Sequence, residues 1–329
     1  MMLLAITTLV VLSVIAYGVM TYRGYRMDQA AAAPVGLTTL GAVTDLPRVV
    51  FRSTAPGDGY GHVALVPLTD PDGPRALTDL VCDRVDAVVD GASCLRTKRG
   101  VVTSFEAEFV DSSWRPVRTW PLAGIPSRTR VSDDGALVAS TSFVTGHSYN
   151  TTSFSTQTEI QAVDGEGYGN IEHFTLLVDG RPTNPPDRNI WGVTFAEDGT
   201  FFATAASGSL GKTWLVRGDP TARTLSALRE NAECPSLSPD RTRIAYKKDV
   251  GGKHWSIAVL DLATGDERVL GESRSVDDQI EWLDDDTLLY GMPRGDEPGV
   301  TDVWAIGTDP ATAPTLFIPQ AWSPSVVRP

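Results

Sequence analysis

Two cysteines have a spacing that could form a covalent bond. Cys82 and Cys94 lie 12 positions apart, close enough for adjacent strands to bring them within disulfide reach. We predict a Cys82–Cys94 disulfide, and the alternative is a pair of buried free thiols. Such a bond persists in an oxidising compartment, so it would place the domain outside the cytoplasm. The third cysteine, Cys234, is expected to be a buried, unreactive small hydrophobic residue.

A run of hydroxyl, imidazole, amide and aromatic side chains at 146–155 is the candidate binding loop. Within it, His147, Tyr149 and Asn150 are the predicted ligand-binding residues, since these types supply hydrogen bonds and a stacking surface. The alternative is a long, solvated hairpin without a ligand.

Other motifs are better explained by turns than by chemistry. Residues 206–213 match the relaxed phosphate-loop pattern, but the strand-like run 214–216 follows where a helix is required, so we expect no nucleotide. Asp284, Asp285 and Asp286 could ligate calcium, although Asp is also favoured in tight turns. The sequence contains neither HExxH nor GxSxG, and we assign no catalytic residue, no metal ligand and no cofactor.

Composition narrows the class of protein. The 329 residues carry a net charge of -13, which argues against non-specific nucleic-acid binding. A hydrophobic content of 42% is enough for a sizeable core. The 30 Gly and 22 Pro residues indicate many turns and disfavour a helical bundle.

The N-terminus predicts a membrane segment. Residues 1–22 lack charge, and a helix of that length spans about 33 Å, enough to cross a bilayer core. A cleaved signal peptide is the alternative, because small residues at 30–33 offer a cleavage site. Residues 23–46 read as a linker. Arg23 and Arg26 follow the span, so the positive-inside rule favours a cytoplasmic domain, whereas the predicted disulfide favours the extracytoplasmic side that we adopt.

Beyond the linker, an acidic turn followed by a hydrophobic strand recurs along the chain. The fourth turn residues stand at 91, 135, 199, 241 and 287, so their separations are 44, 64, 42 and 46. A period near 44 with one insertion is typical of four-stranded propeller blades. The half-units at 48–52 and 321–324 would complete one blade together. We therefore predict that 47–329 form an all-β, six-bladed propeller closed by pairing the N- and C-terminal segments.

The repeat also carries a family resemblance. Residues 237–246, with 258–265 after them, resemble the WD40-like PD40 repeat that is typical of the TolB-type six-bladed β-propeller. The chain departs from TolB because 28–45 leave no room for the α/β domain that precedes the TolB propeller. The resemblance therefore implies the fold and says little about a role in translocation.

The functional expectation is a non-catalytic scaffold held at the cytoplasmic membrane by its N-terminal helix. Its partner would be another envelope protein, a peptide or another envelope ligand. One alternative is a hydrolase with its site at the central channel of the propeller, where clustered titratable groups in a deep pocket would favour an enzyme. Another is a scaffold that faces the cytoplasm.

Overall fold

The computed structural model describes residues 2–31, 35–144 and 155–329. Helix α1 spans Met2–Ala31. Within it, Ile6–Arg23 form a window of 18 residues with mean hydropathy 1.5, and none of the window is buried against the rest of the chain. By length and composition α1 could be a membrane anchor or a signal sequence. The helix extends beyond the predicted membrane segment, residues 1–22.

The remaining described chain is built from short strands, with two single turns of 3-10 helix, η1 (Leu40–Ala42) and η2 (Ile171–His173). The first half contains β1 (Leu37–Thr38), β2 (Arg48–Ser53), β3 (His62–Pro67), β4 (Arg75–Val81), β5 (Arg84–Val88), β6 (Gly91–Lys98), β7 (Ser104–Asp111), β8 (Pro116–Pro121), β9 (Ile125–Val131), β10 (Leu137–Val144), β11 (Ser155–Ala162), β12 (Gly169–Asn170), β13 (Thr175–Val178) and β14 (Arg181–Pro182). The second half contains β15 (Arg188–Phe195), β16 (Phe201–Ser207), β17 (Lys212–Asp219), β18 (Thr224–Glu230), β19 (Glu233–Leu237), β20 (Arg243–Asp249), β21 (Trp255–Asp261), β22 (Glu267–Val269), β23 (Glu281–Asp284), β24 (Thr287–Pro293), β25 (Thr301–Gly307), β26 (Thr315–Ile318) and β27 (Ala321–Val327).

These strands form six sheets arranged as the blades of a β-propeller, which confirms the predicted fold class. Blades two, three, five and six are four-stranded, in the orders β5-β6-β7-β8, β9-β10-β11-β12, β19-β20-β21-β22 and β23-β24-β25-β26. Blade four is β15-β16-β17-β18 with β13 and β14 added outside β18, and blade one is β27-β2-β3-β4 with β1 added outside β4.

Blade one closes the ring as predicted. Its inner strand β27 comes from the C-terminus and pairs antiparallel with β2, in a register that joins Arg48 to Val327 and Ser53 to Ala321. A propeller closed in this way leaves only short, outer edges unpaired.

The inner strands all run in the same direction, so the two ends of the ring differ. The end at which inner strands begin, which we call the cavity face, carries the connections between blades and the hairpins between second and third strands. The opposite end, the turn face, carries the acidic turns between first and second strands. The chain joins the propeller at the turn face, because β1 pairs parallel with the start of β4, placing Leu37 beside Arg75.

The acidic repeat owes its composition to turn geometry. Asp134 accepts hydrogen bonds from the Ser132 hydroxyl (2.6 Å) and the Ala136 N–H (3.0 Å). Asp284 likewise accepts from the Asp286 N–H at 2.9 Å. Such side-chain bonds to the backbone two residues on are the reason that Asp is favoured in these turns.

The core lies between neighbouring blades. One cluster joins Leu95, Phe109 and Trp120 of blade two to Val131 and Val138 of blade three. The other blades meet through similar buried clusters. Each blade therefore depends on its neighbours for burial of its apolar faces.

The extra length in the repeat lies mainly at a different place from the one we predicted. We placed the insertion at 146–155, between β10 and β11. The structure shows a separate excursion, comprising η2, β13 and β14, between blades three and four. There β13 pairs parallel with β18, joining Thr175 to Thr224. The prediction was wrong in this respect because a two-residue outer strand, β12, left no hydrophobic pattern to mark the end of blade three.

Candidate functional site

A cavity of about 1500 Å³ opens at the cavity face. It lies where the inner strands of blades two to five begin, so residues at those strand starts form its deepest part. Phe143, Trp191 and Trp255 contribute aromatic surface to its wall. Towards the turn face, a void between Arg84 and Arg130 holds only about 20 Å³. The cavity therefore narrows towards the turn face, and we call it the cup.

The floor of the cup carries a network of ion pairs. Arg84 and Asp278 lie 2.7 Å apart, and the Asp278 side chain is only 1% exposed. Lys247 lies 2.6 Å from Asp277 and 4.0 Å from Glu233. Arg128 lies 4.0 Å from Asp277. The floor thus alternates cations and carboxylates that come from different blades.

Burial and charge compete in setting the protonation of these groups. Burial alone would lower the pKa of Lys247, but the negative charge of neighbours including Asp277 outweighs it and raises that pKa. For Asp277, partial loss of hydration at the floor would raise the pKa, and the two cations Lys247 and Arg128 outweigh it, so the pKa is lowered. Burial raises the pKa of Glu233, although Lys247 opposes the shift. Lys247 and Asp277 are therefore held as a charged pair.

Cys234 lies among these charges. It is buried on β19 with a backbone φ of 51°, and its side chain interacts with the Arg128 guanidinium. Its N–H donates to the Thr204 hydroxyl at 2.8 Å, and Gly192 packs so closely that a Cβ there would lie 2.7 Å from the Cys234 Cα. The expectation of burial is confirmed. The sequence did not indicate the polar surroundings, because each charged neighbour comes from another part of the chain.

Comparisons with known proteins bear on the fold. No family model matches the sequence, and no curated protein matches it either. Among solved structures, the chain is similar to TolB from Acinetobacter baumannii, with 15% identity and a TM-score of 0.60, over 86% of this chain and 67% of that one. In fold, the chain is a TolB-like β-propeller.

Two weaker similarities carry no argument about function. Putative TolB from Agrobacterium tumefaciens matches at 9% identity and a TM-score of 0.47, over 84% of this chain and 90% of that one. An oligogalacturonate lyase in complex with manganese matches at 10% identity and a TM-score of 0.47, over 75% of this chain and 71% of that one.

The predicted ligand-binding residues of this TolB-like propeller, His147, Tyr149 and Asn150, lie outside the described residues. The strands on either side of them are described. Phe143, near the end of β10, lines the large cavity, and Ser155, at the start of β11, lines a second cavity of about 390 Å³. The assignment of the three residues to a ligand stays a prediction.

The predicted disulfide pair has the geometry of a bond. The Cα atoms of Cys82 and Cys94 lie 5.4 Å apart, within the usual range for a disulfide, and the structure joins their sulfur atoms. Cys82 lies in the connection between blades one and two, and Cys94 lies on β6. A bond between them ties the second strand of blade two to the end of blade one.

The phosphate-loop match at 206–213 lies in a hairpin, as we expected. β16 ends at Ser207 and β17 begins at Lys212, so a strand occupies the place of the required helix. Asp187 holds the turn by accepting from the Ser207 hydroxyl at 2.8 Å and the Ser209 N–H at 2.6 Å. These bonds account for the small and hydroxyl residues in the motif.

The second cavity contains a carboxyl group whose charge changes near neutral pH. Glu172 accepts hydrogen bonds from the Thr158 N–H, at 2.9 and 3.1 Å to its two oxygens. Burial raises the pKa of Glu172 to about 7, and these hydrogen bonds oppose the shift only in part. Its carboxyl group therefore passes from neutral to charged over a range in which exposed glutamates are already ionised.

We expect Glu172 to make the propeller less stable as the pH rises. The folded-state pKa is raised from 4.5 to about 7, so the folded protein holds this proton more tightly than the unfolded chain. The stabilisation is complete below about pH 4.5 and is lost as the pH rises through about 7, a change of about 3 kcal/mol. Glu172→Gln should remove this component from urea unfolding free energies measured between pH 4 and 8.

The exposed residue Glu166 provides the matched control. Glu166→Gln should leave the pH profile of the wild type unchanged. A Glu172→Gln profile with the wild-type slope would contradict the assignment.

Proposed function

We propose that this chain is a membrane-anchored, extracytoplasmic binding scaffold whose cup takes an extended segment of another envelope protein or a peptide. The observation that carries the proposal is the cup itself, which combines about 1500 Å³ of open volume with aromatic walls and a charged floor. Such a mixture of apolar surface and convergent polar groups suits the side chains and the backbone of an extended peptide. The TolB-like fold supports a role in protein interaction.

Site-specific photo-crosslinking in intact membranes tests this proposal. A photoreactive amino acid at Lys253, which is exposed at the rim of the cup, should crosslink to a discrete partner. The same group at Glu197 on the turn face, where the side chain is 73% exposed, should give no such product. Equal crosslinking from both positions, or crosslinking from the turn face alone, would contradict a role for the cup.

The extracytoplasmic location rests on the cysteines. A bond between Cys82 and Cys94 requires an oxidising compartment, and α1 is apolar enough to hold the propeller at a membrane. We therefore expect one of the 3 cysteines, Cys234, to react with a maleimide mass tag in denaturant without reductant, and all three to react after reduction. Three reactive thiols before reduction, from cells quenched in acid, would place the propeller on the cytoplasmic side.

A hydrolase is the second candidate, and one observation favours it. The cup is deep, and Cys234, Lys247 and Glu233 bring titratable groups together at its floor. Among the described lining residues, however, the floor carboxylates are paired with cations or lie close to them, as in structural ion pairs. If the protein hydrolyses a substrate, Cys234→Ser should abolish turnover in a screen of fluorogenic esters and peptides, whereas a binding scaffold should show no turnover to abolish.

A further inference from the structure

Arg128 has hydrogen-bonding capacity that the described residues do not use. Its side chain is 11% exposed at the floor of the cup. One terminal nitrogen donates to the Ser127 carbonyl at 2.9 Å, but Nε is buried and makes no hydrogen bond to the part of the chain that is described. A ligand in the cup cannot reach the buried Nε, but the other terminal nitrogen faces Asp277 at 4.0 Å without a hydrogen bond to it, so an acceptor closer to that nitrogen would bind favourably.

The nearest exposed carboxylate, Asp277, is shared between two cations. It bonds to Lys247 at 2.6 Å, whereas its 4.0 Å distance from Arg128 is too long for a hydrogen bond. The Asp277 side chain is 69% exposed, although Val276 and Asp278 on either side of it are buried. Rotation of this one side chain can therefore free both cations without movement of the backbone.

The charge balance of the floor depends on Asp277. Among the described floor residues, three cations (Arg84, Arg128 and Lys247) face three carboxylates (Glu233, Asp277 and Asp278). When Asp277 turns outward to solvent, Arg128 and Lys247 lose the carboxylate that they share. A protein with a net charge of -13 thus contains a local site for an anion.

We propose that Arg128 and Lys247 together bind a carboxylate of the ligand, in the place that the Asp277 carboxylate now occupies. This inference rests on the proposed function of the cup and adds the chemistry of its ligand. The planar guanidinium presents paired N–H donors that fit a carboxylate, and the ammonium group adds a point charge. The carboxylate comes from an Asp or Glu side chain or from the C-terminus of the bound peptide.

Selection of displayed peptides tests the inference on the full-length chain in detergent micelles. Random 12-residue peptides should yield binders with an acidic residue at a fixed position, or with a free C-terminus at a fixed distance from an apolar residue. Synthetic versions distinguish the two sources: Asp→Asn substitution should weaken binding about tenfold or more in the first case, and C-terminal amidation in the second.

Variants of the protein supply the decisive comparison. Arg128→Gln should weaken the selected peptide about tenfold or more, Arg128→Lys should weaken it less, and Asp277→Asn should strengthen binding by removing the internal competitor. Because Asp277 is exposed, Asp277→Asn keeps the test valid if Arg128→Gln fails to fold. Arg217→Gln removes one positive charge from an exposed pair outside the cup and should have no effect.

The outcomes separate this inference from the proposed function. Selected peptides that bind without acidic preference, or that bind the Arg128→Gln and Asp277→Asn variants as they bind the wild type, would overturn the carboxylate site and leave the binding scaffold standing. A selection that enriches no peptide at all would overturn both.

Discussion

Replacement of Arg130 by glutamine is expected to destabilise the propeller by about 3–5 kcal/mol. One terminal nitrogen of Arg130 lies 2.9 Å from Asp86 and 2.6 Å from Glu281. All three side chains are at most 13% exposed. Burial raises the pKa of both carboxyl groups, so neither carries its charge easily without the guanidinium. Without Arg130, Asp86 and Glu281 are buried carboxyl groups with no cation to balance their charge. Such a change is among the most destabilising in a folded protein.

The same three residues also connect four blades. Asp86 accepts from the Val131 N–H at 2.7 Å, and Glu281 accepts from the Val326 N–H at 3.0 Å. The network thereby links the inner strands β5, β9, β23 and β27 in the middle of the ring. We expect Arg130→Gln to reduce cooperativity of unfolding as well as stability, because contacts between blades are lost together.

Chemical denaturation, followed by the fluorescence of tryptophan, measures the effect. The triple variant Arg130→Met, Asp86→Asn, Glu281→Gln removes cation and carboxylates at once, and should recover most of the lost stability because its amides can still accept the two backbone bonds. Arg217→Gln, which breaks an exposed pair with Asp198, should cost less than about 1 kcal/mol. An Arg130→Gln variant as stable as Arg217→Gln would contradict our account.

Truncation after Gln320 is expected to abolish the cooperative fold of the propeller. It removes β27, the inner strand of blade one, and so exposes one side of β2 to solvent. It also removes the Ser325 hydroxyl, which accepts from the Ala87 N–H at 2.9 Å and donates to the Ala87 carbonyl at 3.1 Å. The inner strand of blade two would thus lose a neighbour at the same time as blade one.

Size-exclusion chromatography and thermal unfolding of the full-length and truncated chains in detergent test this expectation. The truncated chain should aggregate or melt without a cooperative transition. Truncation after Val327 removes only two exposed residues and should preserve the transition. Cooperative melting of the shorter chain near the wild-type temperature would show that closure by β27 is dispensable.

The ring could be predicted from the sequence because its signal is local and repeated. Each acidic turn forms its bonds within a few residues, as the contacts of Asp134 show, so the period is visible without a structure. Closure could be predicted because two half-units at opposite ends of the chain complement each other. The excursion formed by η2, β13 and β14 could not, because its short strands pair with another blade and carry no period of their own.

The candidate site was harder to predict because its residues come from separate blades. Arg128, Lys247 and Asp277 belong to blades three and five and to the connection before blade six, and no spacing in the chain relates them. One positional signal was present: Arg84, Arg128 and Glu233 are charged residues near the starts of the inner strands β5, β9 and β19. Aligning the units on those starts, in place of the acidic turns, would have brought part of the floor together.

The route by which the chain enters blade one affects how the cup meets its ligand. Leu37 pairs beside Arg75 at the turn face, so if α1 lies in a membrane, the chain would enter the propeller from the lipid at that face, and the cup would open on the opposite side. The turn face is acidic, with Asp90, Asp133, Glu197 and Asp285 in its turns. Anionic headgroups would repel it within a Debye length, about 8 Å at physiological salt. The ring would therefore stand off the bilayer with its cup open to large, soluble or distantly anchored ligands.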